Sequence, residues 1–439
     1  MPSRRLAALL NKDLSELFSS RAYWLLLLII GPLVGQGFIT AVNAYAEASG
    51  IGGGPAALSQ GLTPLDGILS PSLGAYDLAA TLLLPFVVIR LVSAEKESGA
   101  LKLMLQWPVT LGETLFAKLL AVGLGWLLAM LAGVGTLAMW TGYGGHLFAP
   151  ETLNIFFGHF LRMLLTASLA TAAAAILPGA ANAAIVVLGF TVGTWVLDFI
   201  SAGRGGILET VAAFTPIASL RSFERGLLRL DIVLVICVLT ALGYVIAGIW
   251  LHIGTSTRRR SAQSAIAVAV AAVLLVAAAQ VHKSYDLSEN RRNSFSRADE
   301  QALALIGKPL TITLYLAAED PRLSDYQRNV ITRLRRALPH LEVKYPLEGR
   351  AGLFEAGNRY GEIVYEIGGK QSVSRSTTEE IVLETIYQLA GVTPPMREEN
   401  QFPGYPLPKR PVAAGWMFYF AWPLAIILAW YLHSWRRTA

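Results

Sequence analysis

The chain has 439 residues, of which 54% are hydrophobic and only 15% are charged, and its mean hydropathy is +0.49. Soluble globular proteins carry roughly 25% charged residues, so this composition excludes an ordinary soluble domain and predicts a multi-span membrane protein. The formal charge of +6 does not indicate nucleic-acid binding, because Lys and Arg gather in segments that flank apolar runs, where they set orientation. The single cysteine, Cys237, lies in an apolar run, which excludes a disulfide framework and a cysteine metal site.

The N-terminal segment, residues 1–21, is predicted to form an amphipathic helix at a membrane surface. Its apolar side chains recur at helical spacing: Leu6, Leu9, Leu10, Leu14, Leu17 and Phe18. Tyr23 and Trp24 come directly before the long apolar part of the first run, a position where aromatic rings anchor helices at the membrane interface. The interface is therefore favoured over the alternative, a soluble helical cap.

Eight apolar runs follow, and most reach the roughly twenty residues that a helix needs to cross a hydrocarbon core of about 30 Å. They cover about residues 22–42, 74–94, 111–141, 155–177, 182–203, 231–254, 262–281 and 412–433. Basic residues gather on one side of this alternation, whereas the loops 43–73 and 142–154 contain neither Lys nor Arg. By the positive-inside rule, both termini are predicted to be cytoplasmic.

The polar stretch 95–108 lies between the second and third apolar runs. Gly99 interrupts it after an acidic cluster, and Pro108 ends the short apolar helix that follows, because proline lacks the N–H that a continuing helix needs. Thr110 and Glu113 have the spacing of a capping box, which predicts the start of the next helix. The pattern is helix, break, helix, and it predicts a small amphipathic helix under the membrane.

The sequence Glu95-Lys-Glu-Ser-Gly99, followed by a leucine pair and a proline, resembles the first cytoplasmic loop of type-2 ABC exporter permeases. It departs from that family at Ala100, where threonine is usual. The resemblance implies a coupling helix that docks on a separate ATPase subunit. The residues expected to form it are Glu95, Glu97, Gly99, Leu101, Leu105, Trp107 and Pro108. The alternative is an ordinary loop with a capped helix start.

The segment 204–230 departs from the charge rule, because it carries arginines on the side assigned to the exterior. Its pattern predicts short helices packed in the outer leaflet. Thr215-Pro216 and Arg225-Gly226 are similar to the re-entrant hairpin between the fifth and sixth spans of type-2 ABC permeases. The resemblance implies a hairpin built on Pro216, Phe223, Arg225 and Gly226. The alternative is a surface loop with two amphipathic turns.

The predicted fold class is a mostly α-helical polytopic membrane protein with a small extracytoplasmic α/β domain. Its predicted segments are a six-span permease unit (22–257), a seventh span (258–282), the α/β domain (283–393), a proline-rich tether (394–411) and an eighth span with a basic tail (412–439). Within the α/β domain, helix and strand patterns alternate. Strands are predicted at 310–316, 341–345 and 362–367, and helices at 296–306, 324–338 and 377–390.

Three stretches of this outer segment resemble the extracytoplasmic domain of the gliding-motility-associated auxiliary ABC subunit. They are Tyr285-Asp-Leu-Ser-Glu-Asn-Arg-Arg-Asn-Ser-Phe-Ser296, Lys308-Pro-Leu-Thr-Ile-Thr-Leu-Tyr315 and Thr378-Glu-Glu380 with Ile386. The resemblance covers about residues 283–391 and implies a permease fused to a shortened form of that subunit. It stops at the tether, where the family continues into a much longer domain.

The sequence contains no signature of an enzyme. It lacks the phosphate-binding pattern Gly-x-x-x-x-Gly-Lys-Ser/Thr, and Gly368-Gly369 is interpreted as a turn between strands. Neither a His-Glu-x-x-His nor a Gly-x-Ser-x-Gly motif occurs, so no catalytic residue, metal ligand or cofactor is assigned to the chain. Ionisable residues within the runs are placed towards span ends, where snorkelling or pairing explains them: Arg90, His159, Arg162 and Asp198.

Together these features predict the permease subunit of an ATP-driven type-2 ABC exporter in a bacterial inner membrane, with residues 283–411 outside. Because one six-span unit is present, the resemblance implies a homodimer with two copies of a separate ATPase, which would bind the ATP and Mg²⁺. The other expected partners are membrane lipids and an extracytoplasmic protein, and no nucleic acid. The alternative is a mechanotransmitting ABC complex that drives a motility or envelope process without transport. An intramembrane enzyme is disfavoured, because the spans lack a paired catalytic set.

Overall fold

The computed structural model describes residues 2–50, 61–104, 106, 109–201, 206–281, 283–317, 320–338, 340–346, 359–395 and 402–438. Its helices are α1 (Pro2–Ser19), α2 (Arg21–Ala48), α3 (Ser70–Glu97, preceded by a π-helical turn at Leu65–Leu69), α4 (Ala100–Met104), α5 (Leu111–Gly142), α6 (Ala149–Ile176), α7 (Ala180–Ser201), α8 (Gly206–Ala212), α9 (Pro216–Glu224), α10 (Leu230–Leu251), α11 (Thr257–Ala279), α12 (Arg297–Ala304), α13 (Pro321–Tyr326), α14 (Thr332–Ala337), α15 (Glu379–Ala390), α16 (Val412–Trp416) and α17 (Trp422–Thr438). π-helical turns join α13 to α14 and α16 to α17. The strands are β1 (Leu227–Arg229), β2 (Ser284–Asp286), β3 (Leu310–Leu314), β4 (Leu341–Lys344), β5 (Ile363–Ile367) and β6 (Lys370–Ser374).

Eight helical segments among the described residues are long and apolar enough to cross a membrane. They are Arg21–Ala48, Leu65–Glu97, Leu111–Gly142, Ala149–Ile176, Ala180–Ser201, Leu230–Leu251, Thr257–Ala279 and Val412–Trp435. Their order follows the eight apolar runs of the sequence, and a small sheet-containing region lies between the last two. The predicted fold class, a mostly helical polytopic membrane protein with a small α/β domain, is confirmed, and the outer location of that domain stays a prediction. The fourth and fifth runs are separate helices, α6 and α7, whose short connection turns at Gly179 with φ of +79°.

Successive spans run in opposite directions and give the bundle two distinct ends. At one end, α1, α4 and the last turns of α17 lie together, and the ring of His433 is 6.1 Å from that of Phe18. We call this the α4 end. At the opposite end, called the sheet end, the Tyr45 hydroxyl donates to the Tyr405 backbone carbonyl (2.7 Å). Because the described spans are even in number, α1 and the end of α17 share the α4 end.

Small side chains set how closely the spans pack. Gly243 in α10 lies against Ser168 in α6, and a Cβ at Gly243 would come within 3.0 Å of the Ser168 backbone. In α5, Gly125 lies under Leu17 and Tyr23, and the Tyr23 hydroxyl donates to the Gly125 carbonyl (3.0 Å). In lipid, such close backbone approach supplies the van der Waals packing that associates helices. The amphipathic helix α1 is therefore held against α5.

The last span packs against the first one. Phe418 is fully buried and Trp422 is half-buried, and their rings fill the notches left by Gly35 and Gly31 in α2. Trp422 also donates its indole N–H to the Leu27 carbonyl (2.8 Å). The span that follows the sheet-containing region is thus part of the packing of the bundle.

The small α/β domain follows α11 and has a four-stranded sheet of order β4-β3-β5-β6. β3 pairs parallel with β4 and antiparallel with β5, and β5 pairs antiparallel with β6. Leu310, Ile312 and Leu314 of β3 are buried in alternation, which matches the period of the sequence. Gly368 and Gly369 both have positive φ and form the turn between β5 and β6, as the sequence predicts. We refer to this unit as the sheet domain.

Candidate coupling site

The chain turns sharply at Gly99, directly after α3. Its φ of +74° is a left-handed conformation that glycine adopts without steric cost, and it lets α4 begin at the next residue. The Ser98 hydroxyl donates to the Ala94 carbonyl (2.7 Å) and closes the last turn of α3. α5 then begins at a complete capping box between Thr110 and Glu113. The predicted break at Gly99 and the predicted capping box are both present.

Glu95, in the last turn of α3, lies in a buried cluster of four charges. Its carboxylate is 2.8 Å from the Lys118 ammonium group of α5 and also accepts a hydrogen bond from Lys12 of α1. Lys118 donates in addition to Asp13 of α1 (3.0 Å) and to the Leu91 carbonyl (3.2 Å). These two lysines and two carboxylates balance in formal charge, and Glu16, 3.2 Å from Lys12 at the edge of the cluster, adds a third carboxylate. They tie α1, α3 and α5 together.

The burial of Glu95 corrects its predicted place on a docking surface. It is 3% exposed, because α1 and α5 enclose the end of α3 on that side. Lys12, at the edge of the cluster, stays charged. Burial lowers the pKa of Lys12, but the hydrogen bond and charge of Glu95, with the charges of Asp13 and Glu16, raise it to about 12. Glu95 is thus a positioning residue for α4.

The same cluster has the spacing of a metal site but holds a lysine. Oxygen atoms of Asp13, Glu16 and Glu95 lie within 4.8 Å of one another. The Lys12 ammonium group contacts all three carboxylates and is 3.2 Å from Glu16 and 3.4 Å from Asp13. A metal ion there would be repelled by this cation at short range. We therefore assign these carboxylates to ion pairing.

Lys96 closes the end of α6. Its ammonium group donates to three backbone carbonyls, those of Ala174 (3.1 Å), Ala175 (2.8 Å) and Leu177 (2.9 Å). The last carbonyls of a helix have no partner within the helix and carry partial negative charge, so a cation there stabilises the helix end. Glu95 and Lys96, neighbours in the sequence, therefore connect α3 to three other helices.

The exposed surface of α4 is small and mixed in character. Glu97 and Lys102 are exposed, and Leu103 is 64% exposed, whereas Leu101 is buried. Leu103 is thus a candidate contact residue that the sequence analysis missed. Three of the residues predicted for the coupling helix lie outside the described residues: Leu105, Trp107 and Pro108.

Sequence reasoning also missed Lys12, Asp13 and Lys118 as part of this site. One signal was available, because Lys118 follows Leu111 by two turns inside an apolar run, where a charge requires a partner. The partner itself lies in α1, and no local pattern identifies it.

At the sheet end, α8 and α9 form the predicted pair of short helices. Thr215 is the N-cap of α9, and its hydroxyl accepts from the Ala218 N–H (3.3 Å). Pro216 is the first residue of α9, where a missing N–H costs nothing. Phe223 is fully buried against Gly158 of α6. These contacts fix the hairpin to the bundle.

Arg225 and Gly226 connect the hairpin to the sheet domain. Gly226 has φ of +76°, and a Cβ there would come within 2.9 Å of Ser288. The Gly226 carbonyl accepts from the Leu287 N–H (2.8 Å), and the Arg225 carbonyl accepts from the Asn293 side chain (2.7 Å). β1 follows directly and pairs antiparallel with β2. We call these contacts between residues 225–229 and 284–293 the joint.

Glu289 forms a second set of contacts beside the joint. Its carboxylate accepts from the Tyr405 hydroxyl (2.6 Å) and lies 3.1 Å from a ring nitrogen of His146. The Tyr405 ring stacks on His146 with centroids 3.9 Å apart, and the hydrogen bond to Glu289 raises the pKa of Tyr405. The Glu289 backbone N–H donates to Glu151 of α6 (3.1 Å). The sheet domain is therefore held to α6 and to the segment before the last span.

An ion pair lies in the middle of the bundle. The guanidinium group of Arg162 is 3.3 Å from Asp77 of α3 and donates to Thr81 (3.1 Å). The sequence analysis placed Arg162 and His159 towards span ends. The structure corrects this, because α6 begins at Ala149 and both residues lie in its central turns. Arg162 pairs across helices and does not reach towards a membrane surface.

The charged cluster around Glu95, α4 and the first part of the hairpin lie within a region similar to a known family. Residues 7–223 match the family model described as ABC-2 family transporter protein. Just under half of the chain is therefore similar to this family. This likeness supports a membrane permease subunit of an ABC transporter. No curated protein and no solved structure matches the chain.

The family match ends before the sheet domain. It includes Glu95, Lys96 and α4 and stops at Phe223 of the hairpin. The likeness of residues 283–391 to the gliding-motility-associated subunit therefore stays a prediction.

Proposed function

We propose that the chain is the permease subunit of an ATP-driven exporter and works as two copies with two ATPase subunits, which bind the ATP and Mg²⁺. The likeness to the ABC-2 family supports the permease part of this proposal. The observation that carries the mechanism is the pair Glu95 and Lys96, which ties the α4 element to α1, α5 and α6. A push on α4 by the ATPase would therefore move these helices together with α3.

The rigidity of this connection follows from its burial. An exposed ion pair contributes little, whereas breaking a buried one leaves an uncompensated charge and costs roughly 3–5 kcal/mol. Glu95, Lys118 and Asp13 are buried, so a movement of α3 that left α1 and α5 behind would break the cluster. Concerted movement of the four helices is the less costly path.

Two copies are proposed because the chain supplies a single six-span unit, while a pathway of this type forms between two such units. α7 supports this, since many of its apolar side chains are exposed and available to lipid or to a second copy, among them Ile185, Phe190 and Phe199. Light scattering of the purified chain tests the copy number. We expect a mass of two chains.

We place the α4 end in the cytoplasm of a bacterial inner membrane and the sheet domain outside. Lys102 and the cluster Arg258-Arg259-Arg260 lie at the α4 end, whereas the loops 43–73 and 142–154 of the sheet end contain no Lys or Arg. In this orientation the sheet domain would engage substrate or an extracytoplasmic protein, and α4 would face the ATPase.

The variant Leu103→Glu tests docking at α4. Leu103 is exposed, so glutamate leaves the bundle packing intact and places a charge where an apolar contact with the ATPase is proposed. We expect recovery of the co-purifying ATPase from native membranes to fall at least about tenfold. Leu305→Glu, at a leucine of the sheet domain that is 74% exposed, is the matched control. Normal ATPase recovery with Leu103→Glu would refute the docking role.

The joint favours a second function, in which ATP-driven movement is transmitted to the sheet domain and no substrate crosses. β1 pairs with β2 across the joint, and Arg292 pairs with Asp66 in the turn before α3. The likeness of residues 283–391 to a gliding-motility-associated subunit agrees with such an output. Hydrogen exchange of residues 284–293, measured with and without ATP in the reconstituted complex, tests it. Unchanged protection would exclude transmission to the sheet domain.

A further inference from the structure

A groove opens between α5 and α10 near the α4 end. Its volume is about 460 Å³, within the range of small-molecule pockets, roughly 300–1,000 Å³. Apolar side chains dominate its lining, which consists of Leu111, Gly112, Leu115, Phe116 and Leu119 from α5 and Tyr244, Val245 and Gly248 from α10. Both walls are helices that are long and apolar enough to cross a membrane.

Two glycines give the groove its depth. A Cβ at Gly248 would meet Leu115 at 3.8 Å, and a Cβ at Gly112 would meet nothing closer than 4.0 Å. Both distances are ordinary van der Waals contact or wider, so the space beside each glycine is open. Phe116 and Val245 are each 50% exposed and form the rims. A hydrocarbon chain lying in the groove would contact apolar groups of both α5 and α10.

Basic side chains gather at the same end of the bundle. Arg258 and Arg259 lie in the first turn of α11 and are exposed. α11 packs against α10, where the Trp250 indole donates to the Ser264 hydroxyl (3.0 Å). Arg4 of α1 is also exposed at this end. Basic residues next to a cavity between spans attract anionic headgroups.

We propose that this groove binds one acyl chain of an acidic phospholipid, with the phosphate of that lipid beside Arg258 and Arg259. The apolar lining excludes a polar ligand from the groove itself, and the positive charge at its end selects the headgroup. Leu111 is the first residue of α5 and lines the groove. The bound lipid therefore lies beside the part of α5 that follows the α4 element.

Lipid retention by the purified full-length chain tests the proposal. The chain is incubated with equal amounts of phosphatidylglycerol and phosphatidylcholine of identical acyl chains, and retained lipid is counted by native mass spectrometry. Gly248→Leu fills the groove from α10, and Gly112→Leu fills it from α5 should the first variant fold poorly. Gly74→Leu in α3, where a Cβ also meets nothing within 4 Å, is the control. Arg258→Gln combined with Arg259→Gln removes the headgroup charge.

We expect the unaltered chain to retain phosphatidylglycerol over phosphatidylcholine by roughly tenfold, since two basic residues act on the headgroup. The groove-filling variants should lose this lipid, the control should keep it, and the arginine variant should retain both lipids about equally. Equal retention of the two lipids by the unaltered chain, or unchanged retention in the groove-filling variants, would overturn the proposal. If the groove-filling variants keep the lipid but lose self-association, the groove binds a second copy of the protein. That result would also overturn the proposal. No ATPase is needed, so the result does not depend on the proposed function.

Discussion

Glu95 and Lys96 show how neighbouring charges in one loop take different structural roles. The Glu95 carboxylate is enclosed with Lys118 and Asp13, whereas Lys96 caps α6 and Glu97 remains exposed. The sequence pattern places Glu95 and Glu97 together on a surface. Glu95 differs from Glu97 because it pairs with Lys12 of α1. Lys12 precedes Glu95 by 83 positions, so no local pattern indicates this pairing.

Replacing Lys118 with methionine should destabilise the bundle, because Asp13 and Glu95 then lose a buried partner. The expected loss in the free energy of unfolding is roughly 3 kcal/mol, the usual size for breaking a buried pair. The double variant Glu95→Gln with Lys118→Met should recover part of this loss, since it also removes the uncompensated carboxylate. Lys12→Met, at the less buried lysine, should lower the free energy of unfolding by less than Lys118→Met does. Thermal melting that is equal for Lys118→Met and the unaltered chain would contradict the buried cluster.

Glu224, at the end of α9, should make stability depend on pH. Burial, and then the charge of Asp77, raise its pKa to about 7 against the opposing effect of Arg221, Arg162 and Arg225. A glutamate of the unfolded chain titrates near 4.3, so between about pH 4.3 and 7 the folded state holds a proton that the unfolded state has released. Stability therefore falls as the pH rises through this window, and this contribution is constant above it.

Glu224→Gln should reduce this pH dependence. Melting temperatures of the variant and of the unaltered chain, compared at pH 5 and pH 8, measure it, and the unaltered chain should lose more on going to pH 8. Glu342→Gln, at an exposed glutamate of β4, is the control and should keep the full dependence. The same drop in all three proteins would show that Glu224 does not carry the effect.

At the scale of elements, the shortest segments make the joint. β1 and β2 have three residues each, which is too short for a periodic signal in the sequence, yet their pairing connects the hairpin to the sheet domain. β3, in contrast, is recognisable because its five residues alternate. The glycine pair implies a strand after the turn, but the sequence does not delimit β6, because its residues are mostly polar and lie at the edge of the sheet. Length and burial together decide which strands a sequence reveals.

Gly226→Ala should loosen the joint. The added Cβ meets Ser288 at 2.9 Å, and a non-glycine residue at φ of +76° is strained by roughly 1–2 kcal/mol. We expect faster hydrogen exchange in residues 284–293. Gly391→Ala, at a glycine with φ of +71° and no atom within 4 Å of its Cβ, has the same strain without the contact. Equal exchange of residues 284–293 in both variants would mean that the contact with Ser288 does not hold the joint.

At the scale of the whole molecule, the even number of spans among the described residues places α1 and the end of α17 together at the α4 end, and α17 packs on α2. The Trp422 indole reaches the carbonyl of Leu27, 395 positions earlier. A terminal span that only anchored the sheet domain would not require notches at Gly31 and Gly35 in the first span. The sheet domain is therefore inserted between two spans of a single bundle.

The proposed orientation is tested by cysteine labelling, because the chain has a single native cysteine. On a Cys237→Ser background, Leu305→Cys should react with a membrane-impermeant maleimide in intact spheroplasts. Leu103→Cys should react only after the membrane is permeabilised. Both leucines are exposed, so burial does not limit either reaction. Labelling of Leu103→Cys in intact spheroplasts would overturn the assignment of α4 to the cytoplasm.

The sequence by itself determined the membrane class, the eight spans, the break at Gly99, the cap of α5 and three strands of the sheet domain. Each of these depends on composition or on neighbours within a few residues, because the thickness of the hydrocarbon core and the periods of helix and strand act locally. Only the tertiary structure decided that Glu95 is enclosed, that Arg162 pairs in mid-bundle and that Gly226 meets Ser288. These contacts join residues 23 to 85 positions apart, across elements whose relative placement no local pattern specifies.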